Sequence, residues 1–198
     1  MQAKGKVLAA LLTVSVGGLG LIAGHEGLRT EAYPDPAYGW AVPTICYGST
    51  EGVQRGQRAT FEECNARLAQ DATYAGRAVA RCTHVAITQA QYDALVSFAF
   101  NVGGSAYCTS ALARRLNAGD CWGAAREFND MPQIGPDGRP RIWRGAPIRH
   151  PETRQVLLNT GDTIKKWTTG NRVPLTGLII RRGAERQLFE SGCERVGA

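Results

Sequence analysis

Glu26 and Asp35 are the two side chains whose types and spacing could carry chemistry. Residues 25 to 48 read HEGLRTEAYPDPAYGWAVPTICYG. Glu26 continues a helical pattern, whereas Pro34-Asp35-Pro36 cannot extend a helix and marks a turn into extended structure. The two acids therefore come from different elements. A carboxyl kept protonated by an apolar pocket, opposite one kept ionised in a wetter place, is the equipment for cleaving a glycosidic bond. Thr44 opens Thr44-Ile45-Cys46-Tyr47-Gly48, a stretch with the composition of a short strand, and its hydroxyl could orient a water. By itself the pair establishes little, because surface carboxylates are common and Pro-Asp-Pro is also an ordinary structural turn.

The element that must position Glu26 is unusual. Val7 to Gly24 is an almost uninterrupted run of apolar and small residues that ends one residue before His25-Glu26. Lys4 and Lys6 precede it and no acid occurs before Glu26, which places the first residues in the cytoplasm and the bulk of the chain across the membrane. A cleaved signal peptide, a permanent anchor and a segment that inserts weakly and later leaves the bilayer all fit that pattern. Gly17, Gly18, Gly20, Gly24, Thr13 and Ser15 make the run barely long enough and only marginally apolar for a stable span. Cleavage near Ala23 or Gly24 would leave Glu26 at a frayed terminus, so a functional Glu26 argues against it.

Downstream, Thr60 and Glu63 form a capping box for a long helix, Phe61 to about Arg81, that would join two lobes. Thr88 and Gln91 start a second helix with Tyr92, Leu95, Val96, Ala99 and Phe100 at helical spacing, ended by Gly103-Gly104. Its aromatics read as packing. Short helices are expected at Leu112 to Leu116 and Trp122 to Phe128. Residues 131 to 165 carry five prolines and five arginines around Trp143, with a turn at Pro136-Asp137-Gly138. They form either a solvated loop and hairpin whose arginines confer solubility or a basic, aromatic insertion that touches peptidoglycan or an anionic surface.

The string around Glu26 resembles the phage lysozymes of glycoside hydrolase family 24. Their pattern of Glu-Gly at the end of the first helix, Asp after Tyr, and Thr-Ile/Val-x-x-Gly is met by Glu26-Gly27, Tyr33-Pro34-Asp35 and Thr44-Ile45-Cys46-Tyr47-Gly48. Gln91 to Gly103 resembles the family's core helix, and Gly177 to Phe189 its last helix. The resemblance implies an α+β, mainly α, two-lobed lysozyme-like fold with a small β-hairpin lobe, a long connecting helix and a helical C-terminal lobe. It implies Glu26 as general acid, Asp35 as second carboxylate, Thr44 as the residue positioning water, and Arg181 as a partner of Glu26. Many members have five residues between the Asp and the Thr; here there are eight, and Ala41 stands at the shorter spacing, so the three extra residues are placed in the loop Pro36 to Pro43. Glu31 is the fallback for Asp35.

The same resemblance implies an endolysin that cleaves the N-acetylmuramic acid to N-acetylglucosamine bond of peptidoglycan. Residues 1–24 resemble a signal-anchor-release segment, and residues 25–198 would be the catalytic domain. The enzyme would be tethered and inactive in the host inner membrane through residues 7–24, facing the periplasm. It would become a soluble periplasmic monomer after a holin or pinholin depolarises the membrane. A lytic transglycosylase or a non-catalytic anchored peptidoglycan-binding protein are the alternatives. No cofactor or metal is expected, since His25, His84 and His150 lack ligand spacing and Cys46, Cys64, Cys82, Cys108, Cys121 and Cys193 include no C-x-x-C pair. An even cysteine count behind an export segment suits up to three disulfides, with fifteen connectivities open if all six pair. The net charge of +6 favours a polyanionic partner, but no nucleic-acid motif and no run of four basic residues is present, so nucleic acid is not expected.

Overall fold

The computed structural model describes residues 5–35, 38–130, 132–133, 135–170 and 173–194. The chain forms two compact units, Met1–Cys108 and Thr109–Ala198. In the first unit the order is β1 (Val7–Leu8), a 3-10 turn at Ala9–Leu11, α1 (Val16–Glu26), β2 (Arg29–Asp35), β3 (Gly39–Cys46), α2 (Phe61–Cys82), β4 (Ala86–Ile87), α3 (Gln89–Val102) and α4 (Gly104–Cys108). Both capping boxes form. Thr60 accepts from the Glu63 amide while the Glu63 carboxylate accepts from the Thr60 amide, and Thr88 and Gln91 do the same at the start of α3. Each box satisfies backbone donors that a helix start leaves without partners.

Helix α3 is the core of this unit, with Gln91 through Ala99 buried without a break. Helix α2 comes close to it at Gly76, where an added Cβ would lie 2.5 Å from the Tyr92 hydroxyl. Gly103, at φ 89°, ends α3 where the sequence places its stop. Disulfides Cys46–Cys64 and Cys82–Cys108 tie β3 to α2 and the end of α2 to α4. Such links stabilise chiefly by restricting the unfolded chain.

The apolar run Val7 to Gly24 is not one helix. Val7 and Leu8 pair antiparallel with Ile87 and Ala86, a single turn follows, and α1 starts only at Val16. Ser15 sets that start: its Oγ accepts from the Gly18 amide at 3.1 Å, while its own N–H and O–H donate to the Asp93 carboxylate at 3.0 and 2.6 Å. Asp93 is 5% exposed on α3, and Gly18 lies so close that an added Cβ would meet its Cγ at 2.8 Å. Gln89 Nε2 donates to the Thr13 carbonyl at 2.8 Å and to Asp93 Oδ1 at 2.9 Å. Among the described residues no helix is long and apolar enough to cross a membrane.

The second unit contains α5 (Ala111–Asn117), α6 (Cys121–Glu127), β5 (Ile148–Arg149), β6 (Val156–Leu158), β7 (Thr169–Gly170), β8 (Val173–Pro174) and α7 (Thr176–Glu190). Asp120 caps α6 by accepting from the Gly123 amide at 2.8 Å. That hydrogen bond, with Arg115 nearby, holds the Asp120 carboxyl below its usual range although partial desolvation opposes it. Cys121–Cys193 fastens α6 to the segment after α7, and Phe128 packs on Phe189 with ring centroids 5.5 Å apart. On α7, Arg181 Nε and Arg182 Nη2 both donate to Glu185 Oε1, at 3.0 and 2.9 Å, in a fully desolvated cluster. Each paired strand in the described residues belongs to a two-stranded antiparallel sheet, so the protein is mainly helical with small sheets.

Candidate active site

Glu26 is the last residue of α1, and Gly27, at φ 72°, turns the chain into β2. A positive φ suits glycine because it has no Cβ to clash. Strand β2 pairs antiparallel with β3, with Tyr33 opposite Thr44. Asp35 ends β2, and its Oδ1 accepts from the Tyr38 amide at 2.9 Å, which fixes the carboxylate at the turn. Thr44 is 4% exposed and its Oγ1 donates to the Val42 carbonyl at 3.3 Å, leaving the oxygen lone pairs for another donor.

Tyr33 relates the two acids. Its hydroxyl is pushed above the ordinary phenol value mainly by burial, with the nearby Arg29 pulling it down and the negative charges of Glu26 and Asp35 pushing it up. Both carboxylates therefore lie within electrostatic reach of one phenol. The Arg29 guanidinium sits 4.7 Å from the Tyr33 ring centre.

A cavity of about 650 Å³ within the first unit is lined by Gly48, by Gln70, Asp71 and Tyr74 of α2, and by Phe100 of α3, while Glu26, Asp35 and Thr44 are not among its lining residues. Gly48 has φ 98°, and a Cβ built on it would lie 4.0 Å from Glu26 Oε2, so the acid lies near one residue of the cavity lining. Ser49 Oγ donates to Asp71 Oδ2 at 2.6 Å and holds that stretch to α2. Mixed apolar and polar lining beside a carboxyl group suits a sugar chain, which offers both hydroxyls and apolar ring faces.

The pairing jumps from Pro34–Pro43 to Asp35–Gly39, so Trp40, Ala41 and Val42 have no partners on β2. The extra length expected in the loop 36–43 is thus taken up as a bulge in β3, whose start at Gly39 lies earlier than the composition of residues 44–48 suggests. Residues 36 and 37 lie outside the described residues. Glu31 is engaged elsewhere, in an exposed ion pair with Arg58 at 2.6 Å. Arg181 is buried on α7 of the second unit, where Glu185 takes its Nε–H. All six cysteines are disulfide-bonded, with Cys46 next to the candidate site joined to Cys64.

Three groups were not foreseen from the sequence. Phe100, expected as packing, lines the cavity because it lies one turn from the end of α3 and is only half-buried. Tyr33 entered only as part of a pattern, and its electrostatic place between the acids depends on strand register. Asp93 escaped notice, although an acid beside Tyr92, Leu95 and Val96 on a core helix, and a lone Ser15 in an apolar run, are each a signal of a buried polar contact.

The helical architecture with its small hairpin is that of a lysozyme. The muramidase domain of SpmX from Asticaccaulis excentricus aligns with a TM-score of 0.64 at 30% identity, covering 89% of this chain and 97% of that one. The family model for phage lysozyme matches residues 23–145. An endolysin of Acyrthosiphon pisum secondary endosymbiont phage 1 is 35% identical over 178 residues, 90% of this chain and 98% of the relative. A SAR-endolysin of bacteriophage PS119 is 33% identical over 150 residues, 75% of this chain and 86% of the relative. The chain belongs to the phage lysozyme family and is an enzyme of the muramidase class.

Proposed function

We propose that the protein is a phage endolysin that hydrolyses the β-1,4 bond between N-acetylmuramic acid and N-acetylglucosamine in peptidoglycan. Glu26 protonates the leaving oxygen, Asp35 acts on the opposite face of the sugar, and the Thr44 oxygen accepts a hydrogen bond from the attacking water. The observation that carries this reading is Glu26 at the end of α1, with Oε2 near Gly48 of the cavity lining, followed by the hairpin that ends β2 at Asp35 and pairs Tyr33 with Thr44. Glu26→Gln is expected to lower lysis of outer-membrane-permeabilised Gram-negative cells by roughly a hundred- to ten-thousandfold with an unchanged melting temperature. Full activity of that variant would overturn the assignment. Mass spectrometry should find reducing ends in the products, and anhydro ends would reassign the reaction as a lytic transglycosylation.

Residues 7–24 hold the enzyme inactive in the host inner membrane, facing the periplasm, until a holin or pinholin depolarises it. The protein then leaves the bilayer and acts in the periplasm. The support is that Ser15 is held by Asp93 and the Thr13 carbonyl by Gln89, 78 and 76 residues away in the chain. A segment lying in the bilayer makes none of those contacts, so Glu26 has no fixed helix to end. A relative named SAR-endolysin, from bacteriophage PS119, is what suggests a release step here. Fractionation before and after an uncoupler checks it: the protein should move from the membrane to the soluble fraction, and protein soluble throughout, or bound throughout, rules the release out.

A further inference from the structure

The arginine-rich insertion of the second unit takes no part in the reaction described above, yet it is an ordered element. The Arg141 amide donates to the Gln133 carbonyl at 2.8 Å and the Arg141 carbonyl accepts from the Ile164 amide at 2.9 Å, while the Trp143 amide donates to the Asp162 carbonyl at 2.9 Å. The segment 139–144 is thus hydrogen-bonded along both edges. Trp143 is half-buried, with Nε1 donating to the Ala146 carbonyl at 2.8 Å and its ring packed on Gly145. Together with Pro140, Ile142 and Ile164 it forms a concave surface of about 910 Å³ lined by Arg139, Arg141 and Arg144.

Those three guanidinium groups make no ion pair among the described residues. The neighbouring acids are engaged with backbone: Asp137 Oδ1 accepts from the Arg139 amide at 3.2 Å and Asp162 Oδ2 from the Asn159 amide at 2.7 Å. Three guanidiniums against the single Asp137 carboxylate leave this concave face net positive and match a ligand that carries several carboxylates, since the planar fork binds a carboxylate with two parallel hydrogen bonds. A lipid surface fits less well, because among the described residues of this insertion Ile142 is the one strongly exposed large hydrophobic.

We propose that this face is an accessory site for the carboxylate-bearing stem peptides of peptidoglycan, holding the polymer while the first unit cleaves its glycan. The proposal rests on the muramidase reading. Its test compares intact sacculi with glycan strands stripped of their peptides by an amidase. The triple variant Arg139→Gln, Arg141→Gln, Arg144→Gln should bind sacculi about tenfold more weakly and show a correspondingly higher KM with unchanged kcat. On stripped glycan it should equal the parent protein. A charge-matched control, Arg114→Gln, Arg126→Gln, Arg154→Gln, should retain parental binding. Equal binding of the triple variant and the parent to sacculi overturns the site, as does a defect that persists on stripped glycan. A control that weakens binding as much reduces it to net charge. Loss of binding to phosphatidylglycerol vesicles with sacculus binding intact reassigns the face to lipid. Failure of the parent protein to release reducing ends from either substrate would instead strike the muramidase reading, and retention on sacculi would still report on the site.

Discussion

Helices α1 and α7 are both held by a buried carboxylate, but the two carboxylates work over different distances. On α7, Glu185 binds Arg181 and Arg182 three and four residues away, so the cluster assembles as the helix forms. On α1, Ser15 is bound by Asp93, 78 residues along the chain, and α1 itself buries only Gly18 and Ile22. A helix with three more glycines and so little buried surface has weak reasons of its own to stay where it is. The place of Glu26 is therefore set by tertiary contacts, while the Arg181, Arg182 and Glu185 pairs of α7 close within one helical turn, although Arg186 of the same helix also reaches Asp130, 56 residues away. This difference makes α1 the element that can exist elsewhere first and be captured later.

Removing the local anchor has the larger effect on stability. Glu185→Ala leaves two buried guanidiniums without their shared acceptor and should cost about 3–5 kcal/mol in urea unfolding. A loss below about 1 kcal/mol would mean that the cluster is wetter than its burial indicates.

Removing the long-range anchor should act on position more than on global stability. Asp93→Ala takes away the acceptor of both Ser15 donors, worth roughly 1.5–3 kcal/mol, and should lower the docked population of α1 by roughly ten- to a hundredfold relative to undocked forms. Hydrogen exchange of amides 16–26 should accelerate accordingly while that of α3 stays slow. Unchanged protection of α1 would erase the contrast between the two helices.

The smallest effect concerns the cap of α6. The Asp120 carboxyl is held below its unfolded value, so its contribution is present above the ordinary carboxylate pKa and is lost as pH falls below about 4. Asp120→Asn keeps an acceptor for the Gly123 amide but removes the titrating charge, and the melting temperature should fall less steeply on the acid side than in the parent. An unchanged acid limb would show that the cap is not felt globally.

Local signals were legible wherever the physics is local. Thr60, Glu63, Thr88 and Gln91 announce two helix starts because the boxes close within three residues, and Gly103 announces a stop because its backbone must turn. The helix at Gly104–Cys108 was not anticipated, since the glycine pair read only as a breaker. The joining of Cys46 to Cys64, Cys82 to Cys108 and Cys121 to Cys193 resolves fifteen connectivities that spacing leaves open.

The chain by itself determined the residue types at the candidate site, the helix boundaries set by caps, and the weak apolar character of Val7 to Gly24. Only the tertiary structure decided that this run divides at Ser15, that Trp40 to Val42 bulge from the hairpin, and that Glu26 Oε2 lies near Gly48. The physical reason is distance along the chain: a cap is completed by its own neighbours, whereas Asp93 and the second carboxylate act on groups that sequence order does not bring near. Whether Glu26 has a fixed position is therefore written in α3 as much as in the helix that carries it.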